Sequence, residues 1–258
     1  MRQACPWWEG HTAAGVWVML RRLGIHWRRG REHIHSPDPH YRAKMEWVQL
    51  LRELAQRQPG QHVLLWLDEM TYYRQPTLGY AWAGAEQPRA ERSYRSNTAW
   101  RIVAALNPEN GVVHYHQGSH ITVPTLMEFY TGLCHYYAGK QLWVAQDNWP
   151  VHFHPGLLAY LQPQEAPFPP HLSRTWAQIP KPKPHPDPLP VQLVPLPTYA
   201  PWCNPIEKLW RWLRQDVLHL HPWADDQEEL HRQIDLFLAQ FAHGSSELLR
   251  YVGLLVPN

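Results

Sequence analysis

HVLLWLDE, residues 62–69, decides the fold. It follows Pro59-Gly60, a pair that ends the preceding helical pattern. Its apolar run is too short for a helix between breakers, so it reads as a buried strand that closes on Asp68. QLWVAQD, residues 141–147, repeats the pattern and closes on Asp147. A third acid, Glu207, opens a helix in PTYAPWCNPIEKLWRWL, residues 197–213. Two strand ends and a helix start can meet at one point. Three carboxylates there would hold divalent ions, because Mg²⁺ prefers hard oxygen ligands.

Working outward, residues 12–24 predict a short helix capped by Thr12 and ended by Gly24, with Val16, Leu20 and Leu23 on one face. Residues 41–57 predict an amphipathic helix with Met45, Val48, Leu51, Leu54 and Ala55 inward. YAWAG, RIVAALN and GVVHYHQG read as strands, the last two joined by a hairpin turn at 107–111. Helices are expected at 124–138, in FHPGLLAYLQ, at 205–219 and at about 224–242. VQLVPLP reads as an edge-type strand. Residues 163–190 are dominated by proline and suit neither helix nor central strand, so they read as an exposed insertion. The order predicts an α/β protein, a mixed central sheet flanked by helices.

At 258 residues the chain holds one large domain, or a medium one with an appendage. Hydrophobic residues make up 44% and charged ones 18%, which provides for a packed core and excludes global disorder. Most of the 15 tryptophans fall in periodic apolar segments and read as core. A net charge of +2 does not by itself point to nucleic acid, and its distribution says more. Residues 20–31 carry Arg21, Arg22, Arg28, Arg29 and Arg31 with no acid, following a helix, which suits contact with a DNA backbone. Arg89, Arg92, Arg95 and Arg101 outweigh Glu86 and Glu91 in a second patch. A solvated surface face is the competing reading of each patch, and it competes more strongly for the second than for the first. Cys5, Cys134 and Cys203 form neither a disulfide framework nor a zinc pattern, and the 18 histidines lack zinc spacing. With no apolar span and no signal-peptide pattern, a soluble, cytoplasmic protein is expected.

Phosphodiester cleavage needs an activated water and a stabilised leaving oxyanion, and two metal ions roughly 3.5–4 Å apart supply both. Asp68, central in the sheet, is the natural bridging ligand, with Asp147 and Glu207 each anchoring one ion. Each acid also has a purely structural reading. Asp68 beside Glu69 can cap the next segment. Asp147-Asn148 can form a hydrogen-bonding turn. Asn204, Pro205 and Glu207 resemble an N-cap, N1 and N3 set.

WLDEMTYYRQPTLGYAWA, VAQDNWPVHFHP and LPTYAPWCNPIEKLWRWLR resemble the three signature blocks of mariner-superfamily DDE transposases, most closely the bacterial insertion-sequence branch called the six-thirty family. RRGREHIHSPDPHY and NPENGVVHYHQG extend the resemblance over about residues 12–245. It implies an RNase H-like catalytic core and a Mg²⁺- or Mn²⁺-dependent enzyme using two ions. Such an enzyme cuts DNA at transposon terminal repeats and joins the freed 3′-hydroxyl to target DNA, typically at TA. Asp68, Asp147 and Glu207 match its catalytic, metal-binding acids. Asn148 and His152 match supporting positions, Asn148 orienting a ligand or phosphate and His152 lying near the site, with simple packing as the other reading of His152. A homodimer on double-stranded DNA, associated with the nucleoid, is the expected working form.

Two departures stand out. The family gap between second and third acids lies in the mid-thirties, whereas Asp147 and Glu207 are 60 positions apart. The excess matches the proline-rich stretch, and an exposed insertion adds little closure entropy. The family's paired helix-turn-helix region is also represented only by its final part, so residues 1–40 read as a remnant with a basic linker and 41–258 as the catalytic domain. An inactive DNA-binding or dimerising remnant and a stand-alone nuclease on the same fold are the competing readings.

Overall fold

The computed structural model describes residues 12–26, 35–165, 167–168, 179 and 182–255. The chain divides into two compact units, Met1–His35 and Ser36–Asn258. In the first, helix α1 (Ala13–Arg22) begins where the Thr12 hydroxyl accepts from Gly15 N, and Gly24 follows at a positive φ of 73°. Leu23 remains exposed rather than joining a buried face. Arg28, Arg29 and Arg31 lie outside the described residues.

The second unit is built on a five-stranded sheet of order β3-β2-β1-β4-β5, with β1 His62–Tyr73, β2 Ala99–Leu106, β3 Val113–Gly118, β4 Gln141–Gln146 and β5 Val191–Pro195. β1, β2 and β3 run antiparallel, while β4 and β5 run parallel to β1. Among the described residues, six α-helices accompany it: α2 (Tyr41–Arg57), α3 (Val123–Tyr136), α4 (Pro155–Tyr160), α5 (Ile206–Leu213), α6 (Gln227–Ala239) and α7 (Ser246–Val252).

Strand alternation sorts the core into two layers. Leu64, Trp66, Met70 and Tyr72 of β1 pack with α2, α5, α6 and α7. Val63, Leu65 and Leu67 pack on the other face with α3 and α4. The same alternation sends Asp68 and Glu69 to opposite faces of the sheet. The expected mixed α/β architecture is therefore present, with a helix layer on each side.

Four local expectations are corrected. Asp68 does not end its strand. β1 continues to Tyr73 because its antiparallel pairing with β2 persists through Tyr73↔Ala99. Only the parallel pairing with β4 stops short, at Trp66↔Ala145, so Asp68 sits where β4 leaves the sheet. YAWAG is not a strand. Its exposed Tyr80 and Trp82 belong to an irregular segment between β1 and β2, and none of the described strands pairs with it. Its aromatic content imitated a strand without supplying a partner. On α2, Lys44 is buried where Met45 and Leu54 are only half-buried, because Asp38 neutralises it. The helix expected over 205–219 stops at Leu213 and passes into a π-helical turn, Arg214–Leu218.

The described flanks of the proline-rich stretch are tied down. Gln192 Nε2 donates to Pro163 O, and His185 N donates to Ala159 O. β5 lies at the sheet edge as read, with its residues buried. No helix among the described residues is long and apolar enough to cross a membrane.

Candidate active site

Asp68, Asp147 and Glu207 line one cleft of about 440 Å³, with Asn148, Trp149, Asn204 and the loop Leu196–Pro201. Asp68 comes from the middle of the central strand. Asp147 follows the last residue of β4. Glu207 lies in the first turn of α5. The three sequence-predicted acids, drawn from segments far apart in the chain, therefore share one wall-bounded space.

They are held very differently. Asp68 is buried, and its Oδ2 accepts a 2.8 Å hydrogen bond from Trp210 Nε1. Asn204 is buried too. Its side chain does not cap α5: Oδ1 accepts from no backbone N–H of the helix, while Nδ2 donates to Leu67 O on β1, 3.1 Å away. The capping-box reading of Glu207 fails for that reason. The amide instead fastens the start of α5 to the strand that carries Asp68. Asn204 Oδ1 has no partner among the described residues.

Asp147 is 57% exposed at its side chain. Its Oδ1 accepts from Trp149 N, so the Asx-turn reading of this position is realised within the cleft wall. Asn148 uses its amide on that wall as well, donating to Leu196 O at 2.8 Å. Leu196 O also accepts from Lys44 Nζ at 3.4 Å. Lys44 pairs with Asp38, which in turn accepts from Thr198 N. Asp38 thus pins the cleft loop to the start of α2. Burial pushes its carboxyl up, but the Lys44 and backbone hydrogen bonds outweigh that and hold it at about 2. Tyr199, at the rim of the same loop, is exposed with φ at +53°, an uncommon conformation for a residue with a side chain.

His152 is fully buried in a short 3₁₀ turn, Pro150–Phe153. Its Nε2 lies 3.1 Å from Glu69 Oε1 and 3.9 Å from Asp147 Oδ1. Burial opposes charge on the ring, and Glu69 with Asp147 overcomes it, so the His152 pKa is raised. Glu69 is the participant that sequence reasoning passed over, treating it as a neighbour of Asp68. Its signal was available: the residue after Asp68 must face the opposite layer, where the Asp147 block supplies His152.

The electrostatics are those of a site short of positive charge. Burial, then the charges of Glu207, Glu69 and Asp147, push the Asp68 carboxyl up to about 8, against the opposing Trp210 hydrogen bond. Burial also raises Glu207, which Arg214 partly offsets. Among the described residues, the set whose ligand atoms already lie within 4.8 Å of one another is Glu69, Asp147 and His152. Asp68 and Glu207 are not in that set. His152, when protonated, is itself the cation between Glu69 and Asp147. Among the described residues, Arg214 is the cation whose charge offsets the burial of Glu207. Hard oxygen donors and mutual carboxylate repulsion fit a divalent cation there.

Of the basic residues, Arg89, Arg92 and Arg95 are exposed on the segment between β1 and β2, near exposed Tyr80, Trp82 and Tyr94. Arg21 and Arg22 are exposed on α1, with Arg21 over the Trp17 ring at 4.8 Å.

Comparison with known proteins follows the same lines. The family described as DDE superfamily endonuclease matches residues 63–231. A Shigella sonnei protein, "Insertion element IS630 uncharacterized 39 kDa protein", is 22% identical over 211 residues, which are 81% of this chain and 54% of that protein. The chain thus spans about half the length of this curated relative. Among solved structures, "Mos1 transposase paired-end complex with left transposon end" matches with a TM-score of 0.59 at 15% identity, covering 98% of this chain and 69% of that one. "Crystal structure of the Mos1 Strand Transfer Complex" matches with a TM-score of 0.56 at 15% identity, covering 93% and 65%. At that identity the likeness is one of fold, and it supports the RNase H-like assignment of the sheet and its helices.

Proposed function

The chain belongs to the DDE superfamily endonucleases, and from that premise we propose that it is a DNA transposase of the mariner and insertion-sequence type. The reaction is cleavage at the terminal repeats of a mobile element, followed by joining of the 3′-hydroxyl to target DNA at TA sites. One observation carries this reading: three acids from β1, the end of β4 and the start of α5 line a single cleft.

Asp68, Asp147 and Glu207 would hold Mg²⁺ or Mn²⁺, two ions in this reading, with Asp68 as the central ligand. Bound there, the ions supply an activated nucleophile and neutralise the departing oxyanion. Asn148 holds the cleft wall through Leu196 O, and His152 restrains Asp147 from behind through its contact with Glu69. Arg89, Arg92 and Arg95 offer phosphate contacts, and Tyr80, Trp82 and Tyr94 offer stacking surfaces for unpaired bases. Arg21, Arg22, Arg28, Arg29 and Arg31 would follow the backbone of the element's end. The Mos1 structures titled with a left transposon end and with strand transfer support DNA as the partner. Those titled with Mn and with Mg support the choice of ions. Bringing two ends together calls for a homodimer on DNA, acting in the cytoplasm at the nucleoid.

The test is a strand-transfer assay. Purified protein, Mg²⁺ or Mn²⁺, a labelled duplex of the element's own end and a supercoiled plasmid are mixed, beside Asp68→Asn. Label joined to plasmid only with the wild type supports the proposal. Nicking that depends on metal and Asp68 but never joins label reduces the activity to that of a nuclease. No metal-dependent chemistry from the folded protein overturns it.

A further inference from the structure

We propose that Trp210 is a positioning residue for the metal site: its indole N–H donates to Asp68 Oδ2 and so fixes how the Asp68 carboxylate is turned, leaving Oδ1 the freer oxygen. The inference rests on the reading of Asp68 as a metal ligand and concerns how that ligand is aimed.

The geometry is specific. Trp210 is 1% exposed, and the hydrogen bond from its Nε1 to Asp68 Oδ2 is 2.8 Å long and buried. Trp210 lies three positions after Glu207 on α5, so both residues sit on neighbouring turns of one helix face. A single rigid helix therefore delivers one carboxylate and the donor that orients another. The helix is registered to β1 at a second point, where Asn204 Nδ2 donates to Leu67 O, one residue before Asp68. With these two bonds, neither the height of Asp68 nor the rotation of its carboxylate is left to the arriving ion.

Orientation matters because a carboxylate has two ways to bind. With both oxygens available, it can chelate one ion. With one oxygen engaged by a neutral donor, its carboxylate plane is fixed and the other oxygen is left as the freer ligand, which disfavours symmetric chelation. The indole suits this role better than a lysine or arginine. It donates one hydrogen bond and brings no positive charge that would compete with a cation. Its ring also fills the core beneath the site, so the donor is fixed by packing.

The test measures ion binding directly. Mn²⁺ is titrated into metal-free protein by electron paramagnetic resonance, and cleavage of an end duplex is measured in parallel. The variants are Trp210→Phe, which keeps an aromatic ring and loses the N–H, and a protein carrying 3-benzothienylalanine at position 210, which keeps the bicyclic shape with sulfur in place of N–H. Trp212→Phe is the control, because Trp212 gives its N–H to Asp216 on the exposed side of the same helix. The expected result is Mn²⁺ binding weakened by about tenfold or more in both position-210 proteins, with altered stoichiometry. A lower kcat with an unchanged KM for DNA should accompany it, while Trp212→Phe stays at wild type. Wild-type Mn²⁺ affinity and stoichiometry in a folded position-210 protein overturn the inference, while loss of binding in Asp68→Asn leaves the metal-site reading standing. Failure of both position-210 proteins to fold assigns the hydrogen bond to stability and also overturns it. A wild type that binds no Mn²⁺ removes the metal-site reading and the inference together.

Discussion

The two sides of the cleft differ in what holds them. On one side Asp68 and Glu207 stand on β1 and α5, two elements joined through the core by Trp210 and Asn204. On the other, Asp147 stands past the end of β4, mostly exposed, with a local turn bond and a long contact to His152. The first side is set when the core packs. On the second, the neighbouring Asn148, His152 and Phe153 are anchored, while the Asp147 side chain itself is left exposed. A cation entering this site would find Asp68 in place and draw Asp147 to it. The fold thus separates a fixed acid from a more exposed one, within a cleft whose acidic groups raise the Asp68 pKa.

The largest expected effect should fall equally on both sides. Asp68→Asn, Asp147→Asn and Glu207→Gln should each lower DNA cleavage on the order of 10³-fold or more, with DNA binding and fold retained. Wild-type cleavage by any of them removes that acid from the site. Stability should separate the sides. The folded pKa of Asp68, about 8, lies above its unfolded value near 3.9. Its contribution is therefore most favourable at low pH and is lost as pH rises toward 8. Asp68→Asn should melt higher than metal-free wild type at pH 8, by roughly 5 °C, and close to it at pH 4. Saturating Mg²⁺ should stabilise only the wild type, by about 2.7 kcal/mol at 100 times its Kd. The exposed Asp147→Asn should melt within about 1 °C of wild type without metal. A large rise there would erase the distinction between the sides.

The wall between the sides is next. Asp38→Asn leaves Lys44 buried without its counter-ion and should cost about 3 kcal/mol by urea unfolding at pH 7. The wild-type contribution is held above pH 4 and lost as pH falls toward 2, because the folded pKa of Asp38 is depressed. A cost that persists unchanged at pH 2.5 would remove the ion pair as its source.

His152→Gln should act on the Asp147 side alone. The raised His152 pKa means that its favourable pairing with Glu69 is fully present below pH 6.5 and lost as pH rises through the folded value. The substitution should cost on the order of 1 kcal/mol at pH 5.5 and less at pH 8.5, measured by urea midpoints. An equal cost at both would make His152 a packing residue. Smallest of all, deleting 166–181, between the tied flanks of the proline-rich stretch, should change stability by only about 0.5 kcal/mol. Loss of cooperative unfolding would show that the stretch belongs to the core.

Much of this was legible beforehand, and the misses share a cause. The apolar runs before Asp68 and Asp147 declared buried strands because burial on both faces demands continuous hydrophobicity. The three acids could be placed together because the blocks around them resemble one family's signature, although Asp68 proves to lie mid-strand rather than at a strand end. What could not be read was tertiary choice. Asn204 had an equally good local partner at its own helix start, and only the closeness of β1 sends its amide to Leu67. Lys44 looked like a surface residue until Asp38 was brought beside it. Tyr80 and Trp82 have strand-like side chains, but pairing requires a neighbour that the chain does not place there. Glu69 was read by its sequence neighbour rather than by the face of the sheet it occupies.

The parallel pairing of β1 with β4 has a consequence for how the protein is made. The three acids are encoded at positions 68, 147 and 207. Asp68 is therefore synthesised long before the helix that brings Glu207 and the indole that aims it. At roughly 5–20 residues per second, the ribosome delivers Glu207 some 7–28 seconds after Asp68. Until α5 emerges and docks, a nascent chain carries Asp68 without two of the residues around it. The cleft wall that Glu207 and Trp210 form is therefore completed only late in synthesis, whichever strand pairs form first.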